Sequence, residues 1–317
     1  MKVLYLVIPC YNEEEVIIDT ALVLTKKMNT LIKAGTISKT SKIMFVNDGS
    51  DDNTWNIIKK LHNENNLISG LNLSRNRGHQ NALLAGLLTS NKYADITISM
   101  DADLQDDINV IDKMLLENEK GFDIVYGVRS KRKKDRFFKK HTAQFFYKLM
   151  RFLGVDIIYN HADCRLMNKR SIKALEEFSE VNLFLRGMIP LIGFNNTVVY
   201  YEREKRLKGE SKYPLSKMLS FAIDGITSFS VKPLRLIFSL GLIILIISIG
   251  IMIYSLIVKL LGKTIEGWTF IIISIWFIGG VLMLSIGIIG EYIGKIYSET
   301  KRRPRYIIES ILDSNEG

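Results

Sequence analysis

Short runs of apolar residues alternate with longer amphipathic stretches in the first 130 residues of the chain. Short apolar runs are typical of buried strands, whereas apolar residues spaced three and four apart are typical of helices that cover a sheet. The predicted strands span residues 3–8, 42–46, 70–73, 96–101 and 123–127, and the predicted helices span 13–34, 54–65, 80–89 and 108–119. This alternation predicts an α/β domain with a mostly parallel sheet and right-handed crossovers.

Two later apolar runs are much longer. Residues 236–258 form a run of 23 residues without a charge, and residues 267–290 form another of 24. At about 1.5 Å per residue, each run is long enough to cross the roughly 30 Å hydrocarbon core of a membrane. Soluble helices of this length usually carry a polar face, so buried core helices are the less favoured interpretation. We therefore predict two C-terminal transmembrane helices.

The net charge of +10 in 317 residues is concentrated in three basic clusters, at 129–140, 203–217 and 295–305. Two of the clusters adjoin the apolar runs, where anionic headgroups attract cations, so membrane lipid is a better partner than nucleic acid. The loop 259–266 has few basic residues, and the positive-inside rule then places both termini in the cytoplasm. No signal-peptide pattern precedes the first strand. We expect a multi-pass protein of the cytoplasmic (inner) membrane whose N-terminal domain is cytoplasmic.

These patterns divide the chain into four parts. They predict an α/β domain at 1–213, an interfacial amphipathic helix at 214–233, a two-helix transmembrane domain at 234–294 and a basic cytoplasmic tail at 295–317. Residues 137–153 also interleave aromatic with basic side chains. That segment is equally suited to the headgroup layer and to packing on the sheet.

Two carboxylates, Asp101 and Asp103, follow the fourth predicted strand. Open α/β sheets bind ligands at the carboxyl ends of their strands, and an Asp-x-Asp pair at that edge can hold a hard divalent cation. Alone, the pair is explained equally well by solvated acids in a turn. A phosphatase of the haloacid type also has such a pair, but it expects Thr or Val where Gln105 stands.

Four motifs, in the same order, resemble the family 2 glycosyltransferases of the GT-A fold. They are Val-Ile-Pro-Cys-Tyr-Asn-Glu-Glu at 7–14, Val-Asn-Asp-Gly-Ser at 46–50, Leu-Ser-Arg-Asn at 73–76 and Met-Asp-Ala-Asp-Leu-Gln-Asp at 100–106. Together with Asp-Cys-Arg-Leu-Met at 163–167, the segment 206–213 and the two apolar runs, they resemble the polyprenyl-phosphate branch, which includes dolichol-phosphate mannose synthases and bactoprenol glucosyltransferases. Processive polysaccharide synthases share the front motifs, but their Gln-x-x-Arg-Trp motif is absent from the sequence.

The resemblance implies a role for each matching residue. Nucleotide binding is implied for Pro9, Tyr11, Glu13, Asp48, Asp101 and Ala102; a Mg²⁺ or Mn²⁺ site for Asp101, Asp103 and Gln105; and binding of the lipid phosphate or diphosphate for Arg129, Arg132, Arg206, Ser211 and Lys212. Asp103 and Asp163 are the implied catalytic residues. The acceptor phosphate is already an anion, so whether Asp163 is a base or a positioning group stays open. Asn47 stands where many relatives have a second Asp.

The implied function is metal-dependent, inverting transfer of a hexose from a nucleotide sugar to polyprenyl phosphate, which supplies lipid-linked sugar for cell-envelope glycosylation. UDP-glucose or UDP-N-acetylglucosamine is favoured as donor. A GDP-mannose-using synthase and a non-catalytic, membrane-anchored nucleotide-binding protein are the alternatives. A homo-oligomer, a flippase and a downstream glycosyltransferase are further candidate partners. His79 is isolated in the sequence, and we expect it to have a packing or hydrogen-bonding role.

Overall fold

The computed structural model describes residues 1–129, 161–202, 230–261 and 267–313. The chain divides into two compact units. An α/β unit comprises Met1–Tyr147, Ile157–Pro214 and Arg303–Gly317, and a helical unit comprises Lys148–Asp156 and Leu215–Arg302. The α/β unit therefore contains both ends of the chain.

The described part of the α/β unit has eight strands and six helices. The strands are β1 (Leu4–Cys10), β2 (Lys42–Asn47), β3 (Ile68–Leu73), β4 (Ile96–Ser99), β5 (Ile124–Arg129), β6 (His161–Asn168), β7 (Asn196–Tyr201) and β8 (Ile308–Leu312). The helices are α1 (Ile17–Lys33), α2 (Thr54–Glu64), α3 (His79–Ser90), α4 (Val110–Glu119), α5 (Lys169–Glu176) and α6 (Leu185–Leu191). Each of the predicted strands and helices in the first 130 residues corresponds to one of these elements.

The eight strands form one sheet in the order β7-β5-β6-β4-β1-β2-β3-β8. β1 pairs in parallel with β2 and β4, β2 pairs in parallel with β3, and β5 with β7. β6 is antiparallel to both β4 and β5, and β8 is antiparallel to β3. The prediction of a mostly parallel α/β sheet is confirmed. Strands β6, β7 and β8 are not among the predicted elements.

Helices cover both faces of the sheet because its central strands are apolar on both sides. Leu6 and Ile8 of β1 pack in a buried cluster with apolar residues of α1, α2 and α4. Val7 faces α3, and the approach is so close that a Cβ at Gly86 would lie 2.4 Å from a methyl carbon of Val7. Packing on Val7 fixes α3 on the sheet, with its first turn following the carboxyl end of β3.

Pro9, which is predicted to stop the first strand, lies inside β1. Val7 O accepts a hydrogen bond from Met100 N, so alternate residues of β1, Val7 and Pro9, direct their backbone groups toward β4. Pairing with β4 ends where Val7 lies opposite Ser99. The missing N–H of Pro9 therefore costs the sheet no ladder bond.

The C-terminal segment, predicted only as a basic tail, contributes an edge strand. β8 pairs with β3 from Gly70 to Leu73, and Ser74 N donates to Ile307 O at 3.0 Å. The apolar side chain of Leu312 packs against the core cluster. The α/β unit thus extends beyond the predicted boundary at residue 213, because it takes in a strand that follows both apolar helices.

The described part of the helical unit consists of α7 (Lys232–Leu260) and α8 (Trp268–Thr300). By length and composition, each contains a window able to span a membrane, Lys232–Ile251 and Phe277–Thr300. α8 continues past the predicted end of the second apolar run at Gly290 and ends at Thr300. The predicted interfacial segment 137–153, and all but the last four residues of 214–233, lie outside the described residues.

Candidate active site

Four charged side chains from distant parts of the sequence meet at the carboxyl edge of the sheet. Asp101 follows β4, Arg129 ends β5, Asp163 lies near the start of β6, and His79 is the first residue of α3. Because β6 runs antiparallel to β4 and β5, its start lies at the edge where those strands end. The topology of the sheet therefore assembles this cluster.

His79 lies between the two acids. Its Nε2 is 3.5 Å from Asp163 Oδ2 and 3.9 Å from Asp101 Oδ1. Burial opposes the charged imidazolium, but the bond to Asp163 and the charge of Asp101 outweigh burial and raise the pKa of His79. The contact with Asp163 agrees with the hydrogen-bonding role expected for His79, whereas its position between two acids of the site was not predicted. The sequence feature that could have indicated a role in the site is the position of His79 at the start of the helix after β3, at the edge where open α/β sheets bind ligands.

Asp163 is held by arginines on two sides. Arg186, on α6, donates from Nε to Oδ1 at 3.1 Å and from Nη2 to Oδ2 at 2.8 Å. Arg165 donates from Nη2 to Oδ1 at 3.2 Å. Burial would raise the pKa of Asp163, but the bond from His79 and the two guanidinium groups hold that pKa well below its usual range. A carboxylate stabilised in this way accepts a proton weakly, so the geometry favours a positioning role over base catalysis.

The burial of Arg165 explains why an acid lies next to it. Its side chain is fully buried, and its Nε and Nη1 have no hydrogen-bond partner among the described residues. Burial lowers the pKa of the Arg165 guanidinium, and a buried charge without a counter-ion is costly. Asp163, two residues earlier on the same strand, is that counter-ion.

Asp101 has the opposite electrostatic character. Burial raises the pKa of Asp101 to about 6, with the charges of Asp163, Asp106 and Asp103 adding to the effect and that of His79 opposing it. A carboxylate crowded by other carboxylates favours a cation beside it. One ligand atom each from His79, Asp101 and Asp163 lies within 4.8 Å of the other two. The carboxylate of Asp101 and the oxygens of the neighbouring loop, with His79 beside them, fit a hard divalent cation such as Mg²⁺ or Mn²⁺.

The other predicted metal ligands lie in the loop after Asp101. Asp103 does not belong to the close group of three, and its Oδ1 accepts a hydrogen bond from Gln105 N at 3.2 Å. Gln105 is buried, and Leu104 between them has a positive φ of 51°. The structure therefore brings Asp101 together with His79 and Asp163, while Asp103 and Gln105 are arranged around a tight turn beside them.

Arg129 is fixed at the edge of the cluster by Asp106. Its Nε and Nη2 lie 3.2 and 3.1 Å from Asp106 Oδ1, and its Nη2 is 3.7 Å from Asp101 Oδ2. Tyr201 at the end of β7 donates to the same Asp106 oxygen at 2.7 Å. Burial opposes the charge of Arg129, but Asp106 outweighs burial and raises the pKa of the guanidinium. Sequence analysis did not identify Asp106, Tyr201 or Arg186 as parts of the site.

The loops after β1 and β2 contain the predicted nucleotide contacts and are joined to each other. Glu13 N donates to Thr54 Oγ1 at 2.9 Å, and the Tyr11 hydroxyl donates to Asp51 Oδ2 at 3.3 Å. Asn12, between them, has a left-handed backbone with φ 52°. Tyr11 is 42% exposed, so part of this residue is accessible to a ligand.

Asp48 supports the neighbouring turn. Its carboxylate is buried and accepts from Arg77 N at 2.7 Å and from Gly78 N at 2.8 Å, just before His79. Burial raises the pKa of Asp48, while these two backbone bonds oppose the shift. The turn at Gly49 has φ 60°, and a Cβ there would lie 2.4 Å from the Arg75 carbonyl carbon. Asp48 and Gly49 therefore lock the β2 loop against the β3 loop.

Two further predicted nucleotide contacts, Pro9 and Ala102, are buried at the same edge, and Ala102 O accepts from Thr20 Oγ1 at 2.7 Å. Four predicted contacts to the lipid phosphate or diphosphate lie outside the described residues: Arg132, Arg206, Ser211 and Lys212. Arg129 is thus the member of that predicted set whose position the structure gives.

The family pattern of "Glycosyl transferase family 2" matches residues 5–176, more than half of the chain. The chain belongs to this glycosyltransferase family. The Uncharacterized glycosyltransferase YkoT of Bacillus subtilis (strain 168) is 54% identical over 307 residues, which cover 97% of this chain and 91% of that protein. The Bactoprenol glucosyl transferase of Shigella phage SfX is 38% identical over 307 residues, which cover 96% of this chain and 98% of that protein. Mannosyl-3-phosphoglycerate synthase from Rubrobacter xylanophilus is a solved structure with 13% identity and a TM-score of 0.48, covering 70% of this chain and 71% of that chain.

Membership in family 2 confirms that the protein is an enzyme that transfers glycosyl groups, with the GT-A type of α/β fold. The matched region runs from β1 to the end of α5. It includes His79, Asp101, Arg129 and Asp163, whereas Arg186 and Tyr201 follow it. Elements beyond the matched region therefore contribute to this candidate site.

Proposed function

We propose that this glycosyltransferase transfers glucose from UDP-glucose to a polyprenyl phosphate such as undecaprenyl phosphate, with inversion at the anomeric carbon. The similarity to the phage Bactoprenol glucosyl transferase carries the proposal, because it extends over 96% of the chain and so includes the apolar helices as well as the α/β unit. The lipid-linked glucose would then serve cell-envelope glycosylation. UDP-N-acetylglucosamine and GDP-mannose are the competing donors.

In this proposal the joined loops 11–14 and 47–54 hold the nucleotide. The bonds of Glu13 to Thr54 and of Tyr11 to Asp51 order these loops before a ligand arrives. An ordered loop loses less conformational entropy on binding, which favours affinity for the donor. The exposed ring of Tyr11 offers a stacking surface for the base.

The diphosphate of the donor belongs beside Asp101 in this proposal. Asp101, Asp103 and Gln105, with His79 from α3, would hold Mg²⁺ or Mn²⁺ there. When bound, such an ion would neutralise charge on the departing nucleoside diphosphate. The raised pKa of Asp101 supports this assignment, because the crowded carboxylate gains most from a cation beside it.

The acceptor phosphate is an anionic nucleophile and needs fixed positive charge more than it needs a base. One of its oxygens attacks the anomeric carbon as the bond from that carbon to the diphosphate breaks. Arg129, fixed by Asp106, and Arg186, fixed by Asp163 and 29% exposed, are two of the described cations at this edge. In this proposal Asp163 acts by positioning Arg186 and His79.

The two apolar helices would anchor the enzyme in the cytoplasmic membrane. Pairing of β8 with β3 supports a hairpin topology, because the chain leaves the α/β unit before α7 and rejoins it after α8. Two crossings return the chain to the side from which it started, so both termini would share the cytoplasmic side with the α/β unit. Fewer basic residues in the loop 259–266 agree with its placement on the opposite side.

Supplying the full-length protein with undecaprenyl phosphate and one radiolabelled donor at a time tests the proposal. We expect UDP-glucose to give an organic-extractable, acid-labile product that requires undecaprenyl phosphate. A product formed only from GDP-mannose or UDP-N-acetylglucosamine would contradict the sugar assignment. The absence of a lipid-linked product from every donor would contradict the acceptor assignment.

A further inference from the structure

A chain of five hydrogen-bonded groups crosses the sheet from the C-terminal strand to the loop after β1. Asn12 N donates to Ser50 Oγ at 3.0 Å, and Ser50 Oγ donates to Asn47 Oδ1 at 2.5 Å. Asn47 Nδ2 donates to Asn72 Oδ1 at 2.7 Å, and Asn72 Nδ2 donates to Glu309 Oε2 at 2.7 Å. We call this series the Asn12–Glu309 chain.

Every donation in the Asn12–Glu309 chain runs in the same direction, toward Glu309. A carboxylate only accepts hydrogen bonds, so Glu309 obliges the Asn72 amide to present its NH₂ group to β8 and its oxygen to Asn47. Asn47 must then donate to Asn72 and accept from Ser50. Hydrogen bonds aligned in one direction polarise and strengthen one another, especially where they are buried.

The middle of the Asn12–Glu309 chain is shielded from water. Asn47 is 2% exposed and Asn72 is 7% exposed. A buried amide that loses a partner is left with an unsatisfied group, which is costly compared with the same loss at the surface. Glu309 itself is exposed, but the buried amides next to it cannot replace a lost partner with water. A change at Glu309 therefore alters the hydrogen bonds of Asn47 and Ser50.

The two ends of the Asn12–Glu309 chain lie in segments with different roles. Asn12 stands between Tyr11 and Glu13 in a left-handed conformation, so its backbone needs outside support. Glu309 lies in β8, which follows α8 after the linker 301–307. The Asn12–Glu309 chain therefore joins the loop proposed to hold the nucleotide to the strand that follows the second apolar helix.

We infer that Glu309 is a positioning residue for nucleotide binding, acting through Asn72, Asn47 and Ser50 on the backbone of Asn12. The inference rests on the proposed function, because it takes the loops 11–14 and 47–54 as the donor site. A carboxylate at 47 has no N–H to donate to Asn72, so it would reverse the Asn72 amide and turn that amide's oxygen toward Glu309.

Four single variants of the full-length protein test the inference. Glu309→Ala removes the terminal acceptor, and Glu309→Gln keeps an oxygen that can accept from Asn72. Asn47→Asp removes the amide that donates to Asn72 and leaves the sequence of β8 unchanged. Ser310→Ala is a matched control in the same strand, because the Ser310 side chain has no hydrogen bond among the described residues.

The first measurement is amide hydrogen exchange in peptides that contain Asn12 and Ser50, without any ligand. We expect faster exchange there in Glu309→Ala and Asn47→Asp, and wild-type exchange in Glu309→Gln and Ser310→Ala. Thermal unfolding monitors whether each variant is folded. Wild-type exchange at both sites in a folded Glu309→Ala and a folded Asn47→Asp would overturn the inference, whether or not the protein proves to be a glucosyltransferase.

The second measurement is calorimetric binding of UDP, together with the separate KM values for donor and acceptor. We expect Glu309→Ala to weaken UDP binding and raise the donor KM by up to about tenfold, the upper end of the net contribution of a typical hydrogen bond, with the acceptor KM unchanged. Equal increases in both KM values would indicate a structural defect and overturn the positioning role. Failure of the wild-type protein to bind UDP would refute the donor assignment, while the exchange measurement would still decide the role of the Asn12–Glu309 chain.

Discussion

The two halves of the carboxyl edge are built from different interactions. Beside β2 and β3, the loops are joined by hydrogen bonds among amides, hydroxyls and backbone groups, such as Asn12 to Ser50 and Glu13 to Thr54. Beside β4, β5 and β6, full charges dominate, and Asp101 has a pKa raised to about 6. The loops of the first half are held together by their own bonds, whereas the second half is left with crowded negative charge. The difference indicates a preformed nucleotide half and a charged half that ligands complete.

Within the charged half, substitutions of Asp163 and Asp101 should have opposite effects on the stability of the protein. We expect Asp163→Asn to lower the Tm and to reduce kcat/KM by at least about a hundredfold, because Arg165 and Arg186 would lose their shared counter-ion. Breaking a buried ion pair by removing one partner typically costs about 3–5 kcal/mol. Thermal unfolding and the transfer assay measure the two effects. A wild-type Tm in Asp163→Asn would show that the two arginines do not depend on this acid.

The pH dependence has a defined sign at Asp163. Its pKa is lowered in the folded protein, so its contribution to stability is present above the ordinary pKa of about 4 and is lost as the pH falls through the folded value. Acid unfolding of the wild-type protein should therefore lose this contribution below about pH 4, whereas Asp163→Asn has no such contribution to lose. Parallel acid-unfolding curves for the two proteins would contradict the lowered pKa.

Asp101→Asn should have the opposite effect on stability. In the folded protein the pKa of Asp101 is raised to about 6, so its stabilising protonated form is lost as the pH rises through that value. At pH 7 in EDTA, we expect Asp101→Asn to raise the Tm, while transfer with Mg²⁺ or Mn²⁺ falls by about 10²–10³-fold. A lower Tm in EDTA would show that the ionised carboxylate stabilises the empty site.

Local sequence signals identified one half of this edge better than the other. The Val-Asn-Asp-Gly-Ser stretch at 46–50 ends a strand and contains its own turn residues, so the neighbouring sequence was enough to predict its position at the carboxyl edge. The charged half needed the antiparallel pairing of β6, since that pairing brings Asp163 to Asp101. His79 and Arg186 reach the cluster from helices whose placement depends on packing against the whole sheet. Spacing along the chain does not encode such contacts.

The C-terminal strand shows the same limit. Residues 308–312 form a short run containing two charged or polar residues after a basic segment, which is typical of a tail as much as of a strand. Its strand conformation depends on the free edge of β3, more than 230 positions earlier, as in the bond from Asn72 to Glu309. Alternation of apolar runs predicted β1 to β5 because the burial of these strands is evident from their own apolar residues.

Arg129→Ala tests the acceptor side of the charged half with a smaller effect. Since Asp106 fixes this guanidinium near Asp101, we expect the KM for undecaprenyl phosphate to rise about tenfold and UDP binding to change less than about twofold. Arg129→Lys keeps the charge but loses one of the two donors to Asp106, so its acceptor KM should be intermediate. Unchanged acceptor kinetics with weakened UDP binding in Arg129→Ala would place this arginine on the donor.

The smallest expected effect concerns Tyr11 in the preformed half. Its hydroxyl donates to Asp51 at 3.3 Å, a long bond at an exposed position, whereas its ring is the surface proposed for the base. Tyr11→Phe keeps the ring and loses only this bond, so we expect the Kd for UDP to rise about twofold. Tyr11→Ala removes the ring as well, and a loss of about 1 kcal/mol or more should raise the Kd by at least about fivefold. Calorimetry with UDP compares the two variants directly. If Tyr11→Phe weakened binding as much as Tyr11→Ala, the bond to Asp51 would be what orders this loop, and the preformed half would depend on it more than on the backbone bonds of Asn12 and Glu13.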